Sequence, residues 1–144
     1  MDKKRVLFVC VHNSGRSQMA EAFFNRLAGD KAAASSAGTQ PASKINPIVV
    51  QAMREAGLDI STKKPKLLTI EMMGNVDRAI TMGCGAEKLC AAGLVPMEDW
   101  QIEDPEGKSI EKVKEIRDII RIKVAILVKE LYKEGSIRLK GGEK

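Results

Sequence analysis

Apolar and polar positions along the chain change period several times, and each change marks an element. RVLFVC (Arg5 to Cys10) is a short unbroken apolar run, the pattern of a strand covered on both faces in a parallel sheet. The spacing predicts the central strand here. From Ser17 to Leu27, Met19, Phe23 and Leu27 recur at helical spacing, and Ala20 and Phe24 widen the stripe. The strand therefore passes through a polar loop into an amphipathic helix. AAASSAGT (Ala32 to Thr39) is weakly apolar and closes beside Gly38, which reads as a short second strand with its exit loop. Asn46 and Pro47 give a cap and a first-turn proline, and IVVQAMREA stops at Gly57, the start and stop signals of a helix. KLLTIEMMG carries a short helix, VDRAITM (Val76 to Met82) a third strand ending before Gly83 and Cys84, and PMEDWQI a further strand before the Asp104-Pro105-Glu106-Gly107 turn. From Ser109 to Glu134 the pattern is helical, with Ile110, Val113, Ile116, Ile119, Ile120, Val124, Leu127 and Leu131 on the inner side and Gly135 as the stop.

Strands alternating with helices predict an α/β three-layer sandwich, a parallel sheet with helices on both faces. One catalytic domain over 1–135 is expected, followed by a flexible C-terminal tail over 136–144. In such sheets ligands bind at the carboxyl ends of the strands, where the strand order reverses. Cys10, Gly83 with Cys84, and Asp104 all fall at that edge.

Composition narrows the function. At 144 residues, 44% apolar and 30% charged, the chain has the size and balance of one soluble domain. No apolar stretch approaches the length that spans a bilayer, so no membrane association is expected. The charged lead MDKK and the apolar run after it are followed by no small-residue cleavage site, which places the protein in the cytoplasm. In that reducing compartment Cys10, Cys84 and Cys90 do not form a permanent disulfide framework and need individual explanations. The net charge of +5 comes from 24 Lys and Arg dispersed among 19 acids. That pattern argues against nucleic acid and suits small anions. A monomer is expected.

Residues 8–18, FVCVHNSGRSQ, crowd polar side chains behind a cysteine. A cysteine attacks as its thiolate, and exposed N–H groups at the start of a helix favour negative charge. The loop from Cys10 to Arg16 is long enough to curl so that the amides of Val11, His12, Asn13, Ser14, Gly15 and Arg16 cradle a tetrahedral oxyanion. Arg16 adds a planar fork for two anion oxygens, Ser17 can reach back to the sulfur, and Asn13 can lock the loop. The plainer alternative makes Cys10 a core residue, Arg16 a surface charge and Ser17 an N-cap; Ser17 is expected to cap the helix in either case. His12 is read as an exposed side chain contributing its backbone.

VLFVCVHNSGRSQMAEAFF resembles the signature of the low-molecular-weight tyrosine phosphatase superfamily and, through RSQMAE, its thioredoxin-coupled arsenate reductases. SSAGT, INPIVVQAMREAGLDIS, VDRAITMGCG and WQIEDPEG continue the similarity across most of the chain. The resemblance implies a four-stranded parallel sheet and a site in which Cys10 is the nucleophile and Asp104 donates a proton to the leaving oxygen. A bare turn Asp is the alternative for Asp104, and Glu103 is a weaker substitute as acid.

Two reactions fit that site. A phosphatase ends with water attacking a phosphocysteine. A reductase needs two electrons, which Cys84 can supply by attacking Cys10 and Cys90 by attacking Cys84 in turn, leaving a disulfide for a thioredoxin-type reductant. If GAEKLC is helical, the two thiols stand about 9 Å apart along the axis, so the segment over 84–92 must unwind to join them. The reductases usually have six residues between these cysteines, and five stand here. Arsenate reduction is the favoured reading, with a phosphatase as the alternative, because Glu106 and Gly107 offer no aromatic wall for phosphotyrosine. A third reading, zinc on Cys10, His12, Cys84 and Cys90, has uncommon ligand spacing. Some members of the family hold potassium through residues matching Asn13, Glu21 and Ser36 and an Asp. Lys66 stands near that Asp's position, so its ammonium is expected to supply the charge, with no metal and no cofactor required.

Overall fold

The computed structural model describes residues 3–83 and 97–133. Cys84, Cys90, the 84–92 segment, the Gly135 stop and the 136–144 tail lie outside the described residues. The elements are β1 (Lys4–Cys10), α1 (Arg16–Ala28), β2 (Ala32–Gly38), α2 (Pro47–Glu55), α3 (Ile70–Gly74), β3 (Arg78–Thr81), β4 (Met97–Asp99) and α4 (Ile110–Lys133). The four strands are all parallel, in the order β2-β1-β3-β4. The order reverses between β1 and β3, because the chain leaves β1 toward one side and returns on the other. The register places Cys10 opposite Gly38, and Val9 opposite Thr81, which in turn faces Asp99.

β1 is buried from Val6 through Cys10, as its apolar run requires of a central strand. Its alternate residues point to opposite faces. Val6, Phe8 and Cys10 join Ile80 under α1, α2 and α4, and Phe8 meets Phe24 and Trp100 at ring distances of 6.0 and 5.8 Å. Leu7, Val9, Ala37 and Ala79 form the other face with Met73 of α3. Helices cover both sides, as the three-layer reading expects. Among the described residues no helix is long and apolar enough to cross a membrane.

Two inner-face assignments are corrected. Leu27 is 47% and Ile119 49% exposed. Steps of four residues advance about 40° around a helix, so the row Met19, Phe23, Leu27 rotates outward while Ala28 rotates in. Ile119 lies about 120° from the centre of the face shared by Val113, Ile120, Val124 and Leu131, among the exposed Ile122 and Ile126.

Candidate active site

The loop after β1 turns back over the sheet edge with its carbonyls directed outward. Val11 O accepts from Gln40 N at 2.8 Å, His12 O from Ala42 N at 3.0 Å and Ser14 O from Asn46 N at 2.9 Å. In a trans peptide the N–H points opposite to the carbonyl, so the amides of His12, Asn13 and Gly15 face inward. Asn13 sits at φ +51°, a left-handed conformation that Asn tolerates better than most residues. The wrap also depends on Gly38, where a Cβ would lie 2.5 Å from Val11 O and 2.9 Å from Asn13 N.

Cys10 lies at the centre of this curl and is 2% exposed, with Asn13 and Ser17 fully buried beside it. Its Sγ accepts from the Asn13 amide at 3.3 Å and meets Ser17 Oγ at 2.9 Å. Asn13 Nδ2 donates to that same Oγ at 2.7 Å, which directs the hydroxyl hydrogen toward sulfur. Asn13 Oδ1 is fixed by Gln18 Nε2 at 3.0 Å and the Lys66 amide at 2.9 Å. Ser17 is not the N-cap: Gly15 holds that position with no side-chain cap bond. The hydroxyl faces sulfur instead.

Arg16 is 6% exposed. Its Nη1 donates to Met82 O at 2.7 Å and Ile102 O at 3.1 Å, and Nη2 lies 3.7 Å from Asp104 Oδ2. The guanidinium thus ties the ends of β3 and the loop after β4 to the Cys10 loop, and it turns an edge into the cleft. Asp104 has two roles on two oxygens. Oδ1 accepts from Glu106 N at 3.0 Å, the turn function, while Oδ2 faces Arg16. Glu103 pairs instead with Lys108 and Lys112. Cys10, His12, Ser14, Gly15, Arg16, Asn46, Asp104, Pro105 and Glu106 line one small cleft. His12 Nδ1 lies 3.1 Å from Gln40 O, so the ring is engaged beside the loop. Positive charge, inward amides, a nucleophile and a carboxyl group meet in one small polar space, which suits attack on a tetrahedral oxyanion.

The residues matched to a potassium site do not fit that ion. Glu21 Oε1 accepts from the Ser36 hydroxyl, and Glu21 Oε2 lies 3.4 Å from Lys63 Nζ, while Asn13 Oδ1 already serves two donors. An ammonium does stand there, but it belongs to Lys63 and not Lys66. The backbone of Lys66 runs along the end of β2, its carbonyl accepting from Gly38 N at 2.8 Å, which commits its amide to Asn13. Among the described residues no group of three or more His, Cys, Asp or Glu gathers as a metal would need.

Gln18, Gly38, Asn46, Lys63 and Asp99 carry contacts that sequence reasoning missed. Gly38 in SSAGT was the nearest to a visible signal, a glycine at a strand end; Gln18 reaches Asn13 five positions away, and Asn46, Lys63 and Asp99 act across 16 or more. Comparison with known proteins fits this geometry. Residues 5–137 match the family described as low molecular weight phosphotyrosine protein phosphatase. The chain belongs to that family. Within this phosphatase family it is similar to proteins that carry a redox name. It is 37% identical to arsenate reductase 2 of Staphylococcus epidermidis, over 84% of this chain and 93% of the relative. It is 35% identical to the glutaredoxin arsenate reductase of Synechocystis, over 89% and 98%. The structure of a thioredoxin-dependent arsenate reductase from Corynebacterium glutamicum superposes with a TM-score of 0.79 at 38% identity, covering 92% of this chain. This chain spans 63% of that structure's length.

Proposed function

We propose that this protein reduces arsenate to arsenite, using electrons from its own cysteines that a thioredoxin-type dithiol of the reducing cytoplasm restores. The observation that carries the reading is the Cys10 cleft. Its cavity volume of about 10 Å³ is far below the roughly 300–1,000 Å³ of drug-sized sites, and none of its described lining residues is Phe, Tyr or Trp. A bare oxyanion suits it better than an aryl ester. The alignment with arsenate reductases over most of the chain supports the same choice.

In this reading the oxyanion rests on the amides of residues 11–16, with Arg16 Nε and Nη2 on two of its oxygens. The Cys10 thiolate attacks arsenic, one As–O bond breaks, and the proton of Asp104 leaves with that oxygen as water. Cys84, as thiolate, then attacks Cys10 Sγ. An S–S bond forms, the S–As bond breaks and its electron pair stays on arsenic, which leaves as arsenite. The thiolate of Cys90 attacks Cys84 and releases Cys10, and the dithiol reduces the remaining disulfide. Every group required sits on one chain, consistent with a monomer.

Phosphate ester hydrolysis is the second reading, favoured by the family match. It shares the first step and ends with water in place of a thiol. Assays of both reactions separate the two. Cys10→Ser is expected to abolish arsenite formation and aryl phosphate hydrolysis together, while Cys84→Ser abolishes arsenite formation alone. Arsenite production by Cys84→Ser would overturn the relay, and a wild type that hydrolyses aryl phosphates without ever yielding arsenite would establish the phosphatase.

A further inference from the structure

One carboxylate ties the end of β3 to β4. Asp99 Oδ1 accepts from Thr81 Oγ1 at 2.7 Å and from the Gly83 amide at 2.6 Å. Gly83 adopts φ +80°, and a Cβ on it would stand 3.1 Å from Gln101 Cα, so the two backbones run close there and a side chain at this position would be strained. Gln101 itself holds φ +51°. Such conformations persist where the surroundings over-determine them. Arg16 completes the clamp by joining Met82 O to Ile102 O on the same two segments. Gly83 is therefore held by its amide, by its neighbour's carbonyl and by van der Waals contact.

We propose that Asp99 is a positioning residue for the second thiol: by fixing the Gly83 amide it sets the point from which Cys84, the next residue in the chain, reaches Cys10. This rests on the relay of the preceding section. The register supplies the reason. Val9 faces Thr81, and Met82 N donates to Val9 O at 3.0 Å, so Cys10 and Met82 leave the sheet side by side, about 4.8 Å apart. Cys84 follows Gly83 directly in the chain, so the anchor stands one residue from the thiol. A disulfide needs Cα atoms about 4.4–6.8 Å apart. With Gly83 anchored, few backbone torsions separate the attacking thiolate from Cys10 Sγ, and the effective concentration is high. Without the anchor, Met82 and Gly83 add their own torsions to the search. Among the described residues the hydrogen bonds to Asp99 come from Thr81 and Gly83 and none from the Cys10 loop, so the first chemical step is expected not to depend on it.

The test is a single turnover of the reduced full-length protein with arsenate, quenched by alkylation, with disulfides quantified by mass spectrometry and aryl phosphate hydrolysis measured alongside. Asp99→Ala is expected to form disulfide about tenfold more slowly than wild type while hydrolysis stays within about twofold. Asp99→Asn keeps an acceptor oxygen and is expected to recover most of the disulfide rate. Wild-type speed in Asp99→Ala overturns the proposal, and so does a parallel fall of both activities, which marks a merely structural role. Should Asp99→Ala not fold, Thr81→Val removes one of the two donors on Oδ1 and carries the test: slower disulfide formation with intact hydrolysis supports the proposal, an unchanged rate overturns it. A wild type that forms no disulfide with arsenate sinks the underlying relay, an outcome distinct from any difference between variants.

Discussion

Ser17 has two hydrogen-bond partners, and their chemistry fixes what its hydroxyl does. Asn13 donates to Oγ, the hydroxyl hydrogen is free to meet Cys10 Sγ at 2.9 Å when that sulfur attacks as a thiolate, and a hydrogen bond to a charged group contributes about 1.5–3 kcal/mol. Ser17→Ala is therefore expected to lower the turnover of aryl phosphate roughly 10- to 100-fold. The same change leaves the buried Asn13 Nδ2 without its acceptor, so stability is expected to fall by about 1–3 kcal/mol. A variant with wild-type turnover would contradict the assigned orientation. The types of residue needed here were legible in FVCVHNSGRSQ, since a nucleophile, an anion fork and small polar groups stand together in sequence. The reach of Ser17 to sulfur was legible there and is observed, but the cap role expected beside it falls to Gly15.

Helix α4 runs 24 residues and presents two different faces. Ile120 is fully buried against the sheet, whereas Ile122 is 54% exposed. Ile120→Ala is expected to cost about 2–5 kcal/mol and Ile122→Ala no more than about 0.5 kcal/mol, read as the difference in denaturant midpoint. Equal losses would mean the face is misassigned. Periodicity found this helix, and it found α2 through Asn46, whose side chain accepts from Ile48 N at 2.9 Å as a cap should. It erred at Leu27 and Ile119, where an apolar residue stands at the margin of a stripe and the drift of the helical repeat decides which way it points. The fourth strand covers three described residues, Met97, Glu98 and Asp99, which pair with β3 at the sheet edge. Edge strands leave a weak apolar signature.

At the scale of the molecule, strand order explains why groups far apart in sequence act together. The reversal between β1 and β3 delivers Cys10, Met82 and the loop to Asp104 to one rim. The α/β class and that rim could be read from alternation alone, but long-range contacts such as Lys63 with Glu21 and Asp99 with Gly83 depend on the folded order of the strands. The internal ammonium has an ionic consequence. With Lys63 beside Glu21, replacing potassium by sodium or choline at constant ionic strength is expected to change the reaction rate less than about twofold. A strong potassium dependence would show that the lysine does not fill that role. The central claim, a relay that begins at Cys10 and ends away from it, is tested most directly by mass-spectrometric mapping of disulfides after reduced protein meets arsenate. A bond between Cys84 and Cys90 is expected in the wild type and not in Cys10→Ser. The same bond forming without Cys10, or arsenite released with all three thiols still reduced, would contradict it.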